Sequence, residues 1–385
     1  MRLALLTDRP HSNYGAELNL LAVGALAREM GHDVVAVSIE PGVFVDSAVD
    51  RGLAAMVVPT PEGLTEIWAG GLRPTPTTLV RMARFGATLH RQLRGEAVDV
   101  VMTSSVRAGA MMWPGRLQRP HLLWYVQMLT EPSPATAAAG LVANRIAIIA
   151  PGVERAIPHA IRRARRGRIH HLPPWRDVTA FAADARPPHP SGSLDVVTVG
   201  KVTPRKGIHI LVEAVAIACD AGTDVSLTVV GAPSGRADEQ YAAETRALAE
   251  RRGVAVTWSG WQDDVAPFLL TADAFALVSE REGLPGAVVE AMAAGLPIVV
   301  SDTGPVADLV QVSGSGLVAP AGDIRAVAAH LISLADDPAT ARDMGLKGTK
   351  AATAFSPDET KSAIDAILNA MAPRRARPHR GAARS

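Results

Sequence analysis

Short apolar runs alternate with segments of helical periodicity along the 385-residue chain. In the first half the runs are LALLTD (3–8), DVVAVSIE (33–40), DVVMTSS (99–105), HLLWYVQ (121–127), RIAIIAP (145–151) and RIHHLPP (168–174). In the second half they are LDVVTVG (194–200), VSLTVVG (225–231), VAVTWSG (254–260), AFALVSE (274–280), PIVVSD (297–302) and GLVAP (316–320). Helical patterns fill the gaps at 16–30, 77–94, 207–221, 238–252 and 323–335. Near-continuous apolar strands bounded by Gly, Pro or Asp suit parallel sheets buried on both faces. Their alternation with helices predicts an α/β protein with right-handed crossovers. The alternation breaks at RPPHPSGS (186–193), which reads as a linker. Two doubly wound domains follow, 1–185 and 194–355. A further helix over 356–372 is expected to pack back on the first domain, and the basic segment 373–385 has no apolar periodicity and is expected to be disordered.

Composition narrows the classes. A chain of 385 residues, 48% hydrophobic, is ample for two cores. No apolar run approaches the ~18–20 residues of a membrane span, and the start MRLALLTDRP lacks the long apolar region of a signal peptide. The single cysteine, Cys219, excludes an internal disulfide, suits a reducing cytoplasmic setting and is expected in the core. Net charge is only +1 but uneven: +6 over residues 1–170, −10 over 171–372 and +5 over the last thirteen. That balance argues against a nucleic-acid partner and leaves the first half open to an anionic one.

Ligands of doubly wound sheets bind beyond the carboxyl ends of strands, and two such sheets facing each other place a site between them. Two stretches stand there. After LDVVTVG comes KVTPRKG, with Lys201, Arg205 and Lys206 beside a helix start, either an anion site or a solvated turn. After AFALVSE comes EREGLPGAVVEAMAAGLP (280–297). Its Gly283 and Gly286 allow close backbone approach to a ligand, and Pro285 fixes one φ. Glu282 lies in the loop and Glu290 in the helix, so they meet different parts of one ligand; the plainer reading is a capping Glu282 and a solvated Glu290.

Together these pieces resemble the E-x7-E signature of retaining glycosyltransferases of the GT-B fold, family 4. GKVTPRKG is similar to that family's G-R-x(n)-K-G element, VTWSGWQDDVAPFLLTADAFALVSEREG to the stretch before E-x7-E, and SDTGPVADLV and GLVAPAGD to later elements. YGAELNLLAVGALAREMGHDVVAVS is similar to the family's G-G-A-E loop, helix and following strand. The likeness is dense over 194–325 and thinner over 40–175. It implies two Rossmann-like domains around a cleft, a nucleotide-diphosphate sugar held mainly by the second domain, and no further cofactor. Carried over, Glu290 binds the ribose hydroxyls, Glu282 contacts the transferred sugar, and Lys206 with Lys201 holds the diphosphate. Gly15 and Ala16 close over the phosphates, while Trp261 and Gln262 border the base. Gly200, Gly231 and Leu284 complete the donor side.

Two departures stand out. The family's usual arginine after the glycine is Lys201, which loses bidentate geometry and leaves Arg205 to supply the fork. The family's frequent histidine over the donor sugar is replaced by Gln127. No D-x-D pair occurs in the sequence, so cations are expected to do the work of a metal clamp. The acceptor is expected against Trp124, Tyr125 and Gln127 of the first domain, with Trp113 nearby, although these aromatics equally suit a core. The basic stretches 79–94 and 160–171 suit a weak peripheral membrane contact, a phosphorylated acceptor or a plain solvated face. A nicotinamide oxidoreductase would need G-x-G-x-x-G after the first strand, which TDRPHSNYGAEL lacks. A non-catalytic sugar-nucleotide-binding subunit of the same fold is the rival reading.

Overall fold

The computed structural model describes residues 1–11, 15–60, 76–113, 118–128, 131–176, 178, 181 and 190–372. The first sheet is built from β1 (Arg2–Thr7), β2 (Asp33–Ser38), β3 (Ala54–Val57), β4 (Val100–Thr103), β5 (His121–Val126), β6 (Arg145–Ile148) and β7 (Ile169–His171). All pair in parallel, in the order β3-β2-β1-β4-β5-β6-β7. The second contains β8 (Ser193–Val199), β9 (Asp224–Val230), β10 (Val256–Gly260), β11 (Ala274–Leu277), β12 (Ile298–Ser301) and β13 (Gly316–Ala319). These too are parallel, in the order β10-β9-β8-β11-β12-β13. Strands β4, β11 and β12 are buried along their whole length, which is why they read as unbroken apolar runs.

Strand β3 escapes the periodicity argument. Its AAMV is half-exposed at the sheet edge, so it has no buried face to mark it.

Helices α1 (Gly15–Glu29), α2 (Val43–Asp50), α3 (Pro76–Gly95), α4 (Val106–Met111), α5 (Pro134–Val142) and α6 (His159–Ala164) serve the first sheet. The second has α7 (Ile208–Asp220), α8 (Arg236–Arg252), α9 (Ala266–Thr271), α10 (Gly286–Ala293), α11 (Pro305–Ser313), α12 (Ile324–Asp336) and α13 (Pro338–Ala352). Helix α14 (Pro357–Met371), capped by Ser356, returns to the first domain. Its Ile364, Ile367, Leu368 and Met371 join the core built around Leu3 and Val23. Lys361 meets Glu29 at 2.8 Å, and Arg145 Nη2 donates to the Ala370 carbonyl at 2.8 Å.

Residues 186–189 of the expected linker and the tail 373–385 lie outside the described residues. Cys219 is exposed, contrary to expectation. On α7 the buried stripe ends at Ala218, and one further residue turns about 100° to the solvent side. No helix among the described residues is long and apolar enough to cross a membrane.

Each sheet reverses strand order at one place, between β1 and β4 and between β8 and β11. Crevices open there in doubly wound sheets.

Candidate active site

The loop after β8 builds the cationic corner. Pro204–Lys206 forms a 3-10 turn, and Gly207 then adopts φ 66°, a left-handed conformation that favours glycine. A Cβ on Gly207 would lie 2.3 Å from the Val278 carbonyl oxygen, so the turn packs directly on the end of β11. The Glu280 amide seals this contact by donating to the Arg205 carbonyl at 2.9 Å. The two strands flanking the reversal thus bring their loops together.

Glu282 is the meeting point. Lys206 Nζ lies 2.7 Å from its Oε1, and Arg205 Nη1 donates to the same oxygen at 2.9 Å. Arg205 Nη1 also reaches the Arg281 carbonyl at 2.9 Å. Glu282 is only 8% exposed. Burial pushes its carboxyl up, but Lys206 and then Arg205 outweigh this and hold it below the usual carboxylate range. It is therefore an ionised acceptor of hydrogen bonds. Lys206 runs past Gly200, whose missing Cβ would lie 3.4 Å from its Cε. Gly231 serves the strand ends: a Cβ there would fall 1.9 Å from the Gly200 carbonyl oxygen.

Lys201 does not join this corner as expected. Its Nζ lies 2.5 Å from Asp238 Oδ2 on α8, whereas Arg205 and Lys206 meet Glu282. A lysine at this position reaches sideways to the neighbouring helix, where an acid waits in the first turn.

The loop 282–286 proves to be an interdomain contact. A Cβ on Gly283 would lie 2.1 Å from the Gln127 carbonyl oxygen, and one on Gly286 would lie 2.1 Å from Arg176 Nε. These glycines make room for the protein's own first half, not only for a ligand. The Leu284 side chain is buried in the first domain's core, together with that of Val289. Glu290, on α10, faces the segment leaving β7, where Arg176 Nε meets its Oε1 at 3.3 Å. Burial pushes the Glu290 carboxyl up, with Arg176 opposing, and the balance stays above the usual range.

On the first domain, Gln127 stands at the mouth of β5. Its Nε2 donates to the Ala16 carbonyl at 3.0 Å, and Asn19 Nδ2 donates to its Oε1 at 2.8 Å. Gly15, exposed at the first position of α1, is in the same corner. Trp124 and Tyr125 are not acceptor-lining residues. Both are fully buried, and Tyr125 Oη donates to the Leu172 carbonyl at 3.0 Å. Trp113 is exposed. Trp261 is exposed with Nε1 donating to Asp263, and Gln262 Nε2 donates to the Ser259 carbonyl at 2.8 Å.

Four residues escaped the sequence argument: Arg176, Asn19, and the paired Asp8 and Arg107 at the β1/β4 reversal, bonded at 2.8 Å with the Asp8 side chain wholly buried. Only the general need of a buried carboxylate for a cation pointed to Arg176. No spacing named any of them.

The comparisons complete the description. Residues 181–351 match the family described as Glycosyl transferases group 1. The crystal structure of HepE from Anabaena in complex with UDP superposes with a TM-score of 0.78 at 18% identity, covering 96% of this chain and 100% of that one. The fold is GT-B. The amylovoran biosynthesis glycosyltransferase AmsK of Erwinia amylovora is 32% identical over 154 residues, 38% of this chain and 37% of AmsK. The D-inositol 3-phosphate glycosyltransferase of Streptomyces avermitilis is 26% identical over 376 residues, 90% of this chain and 78% of that protein. The chain thus aligns with little more than a third of AmsK, but with most of the Streptomyces protein. Arg205, Lys206, Glu282 and Glu290 all lie within the 181–351 stretch that matches that family.

Proposed function

We propose that this chain is a retaining, metal-independent glycosyltransferase that moves a sugar from a nucleoside-diphosphate sugar to an acceptor hydroxyl. The observation that carries the reading is the convergence of Arg205 and Lys206 on the buried, ionised Glu282 at the strand reversal of a glycosyl transferases group 1 domain. A UDP-sugar is the first donor to test, because HepE binds UDP. The donor's diphosphate takes Arg205 and Lys206, its ribose hydroxyls take Glu290, and its sugar lies against Glu282. At about 4 Å and an effective dielectric near 20, each unit charge pair with the diphosphate is worth roughly 4 kcal/mol before desolvation. Two such cations, fixed by the turn at Pro204–Lys206, stabilise the charge that develops on the leaving group.

In the step we favour, the anomeric carbon–phosphate oxygen bond breaks while the acceptor oxygen bonds the same face of that carbon. The acceptor's proton passes to the departing diphosphate, which leaves as the nucleoside diphosphate. Glu282, held ionised, accepts from sugar hydroxyls and orients the ring. The acceptor approaches from the first domain, over Gln127. The test is a screen of UDP-, GDP-, ADP- and TDP-sugars for slow release of nucleoside diphosphate without acceptor. One donor should be hydrolysed, and Lys206→Met should abolish the release. Binding of a donor with no release by the native chain would favour a non-catalytic sugar-nucleotide-binding subunit.

A further inference from the structure

We propose that Arg176 is a positioning residue of the donor site, holding Glu290 ionised and aimed through Oε1 so that Oε2 receives the ribose hydroxyls. This rests on the reading of Glu290 as the ribose clamp. Helix α10 reads GAVVEAMA, with Glu290 between the wholly buried Val289 and Ala291. An isolated carboxylate in such a place protonates rather than bear the loss of hydration. Arg176 Nε, 3.3 Å from Oε1, supplies the opposing charge. Oε2 carries no hydrogen bond from a described residue.

The fit is built from both sides. Gly286, one turn before Glu290, leaves the space the guanidinium fills: a Cβ there would lie 2.1 Å from Nε, 2.3 Å from Nη2 and 2.6 Å from Cζ. The start of a helix repels a cation; the carboxylate one turn on offsets this for Arg176, whose Nη1 also donates to the Trp175 carbonyl at 2.9 Å. The other charges around α10 are already committed or remote. Helix α9 and strands β11 and β12 carry no ionisable residue. On α13, which packs on α10, Arg342, Asp343, Lys347 and Lys350 are exposed, and Lys347 pairs with Asp343 at 2.6 Å. Arg205 and Lys206 are taken by Glu282. The Tyr125 hydroxyl beside Arg176 is pushed up by burial and stays neutral. Among the described residues, Arg176 is thus the cation acting on Glu290.

The assay is titration calorimetry from pH 6 to 9, using whichever of UDP, GDP, ADP and TDP binds the native chain tightest. Each variant is read as a ratio to the native chain at the same pH, which removes the nucleotide's own titration. Arg176→Gln should bind about tenfold more weakly at pH 6, and the deficit should shrink as pH rises, because burial, no longer opposed by Arg176, pushes the Glu290 carboxyl further up. Arg176→Lys should restore most of the loss. Gly286→Ala, which displaces the guanidinium while leaving both charges in the chain, should reproduce the Arg176→Gln profile. Glu290→Gln should be weak at every pH. A flat Arg176→Gln ratio near one beside a weak Glu290→Gln would reduce Arg176 to an interdomain contact. Tighter binding by Arg176→Gln would make it a competitor of the ribose and overturn the proposal. An unaffected Glu290→Gln would instead remove the clamp reading itself.

Discussion

Replacing Glu282 by glutamine separates its two roles. In the ligand-free chain its carboxylate neutralises Lys206 and Arg205 through one oxygen, at 2.7 and 2.9 Å. The same cations are those the diphosphate needs. A phosphate arriving about 6 Å from the carboxylate meets roughly 3 kcal/mol of repulsion at an effective dielectric near 20, and salt and water remove about half. Glu282→Gln should therefore bind a nucleoside diphosphate about tenfold tighter, while turnover of the sugar donor falls by about 100-fold or more. Stability moves the other way. Lys206, with its side chain 12% exposed, loses its partner, whereas the more exposed Arg205 loses little. A cost of about 2 kcal/mol would lower the domain's Tm by roughly 4–8 °C.

The pH dependence carries a sign. Glu282 is held below its ordinary value, so its contribution is fully present above the unfolded carboxyl's pKa of ~4.3 and is lost as pH falls through the lower folded value. The melting gap between native chain and variant should be flat above about pH 5 and close in stronger acid. Calorimetry with the nucleotide and a series of melts measure both. Weaker nucleotide binding by the variant would refute the internal-competitor argument.

Three further outcomes are expected. Lys206→Met should leave the fold intact yet weaken nucleoside diphosphate binding by about 100-fold, read by calorimetry. Tyr125→Phe should cost about 1 kcal/mol through the lost bond to the Leu172 carbonyl, seen in denaturant melts, with no change in the acceptor's KM. Gly283→Ala should lower turnover and the melting temperature together, since a Cβ 2.1 Å from the Gln127 carbonyl oxygen pushes two backbones apart.

Strands other than β3, and longer helices such as α1, α3, α7, α8 and α12, were legible because parallel strands buried on both faces print as apolar runs, and helices as periodic ones. The same property hid which way a strand residue points. HLLWYV has no polar alternation, so Trp124 and Tyr125 carried no sign that they face the core and not the cleft. Edge strand β3 was missed for the converse reason, being too exposed to print at all. The charged corner around Glu282 was legible because its residues cluster in two short stretches beside strand ends. Lys201 misled because proximity in the chain says nothing of an acid on α8 within reach.

What the sequence could not print is that the two halves of the molecule meet at this loop. Glycines at 283 and 286 are open to any close neighbour, ligand or protein, and only the fold decides that Gln127 and Arg176 take those places. The loop 282–286 touches the first domain, so any shift of Gln127 or Arg176 is felt at Glu282 or Glu290 through one or two contacts. On the proposed reading, that coupling would give the domains a physical route by which donor binding in one half sets the approach to the acceptor in the other. It also explains why Leu284, between the two glycines, is buried in the first domain's core although it belongs to the second domain's loop. Leu284→Ala would remove that anchor, at a cost of about 2–4 kcal/mol to the interdomain packing. Nucleotide binding by the second domain should survive it while transfer is lost; equal losses of both would mean that the loop acts only within its own domain.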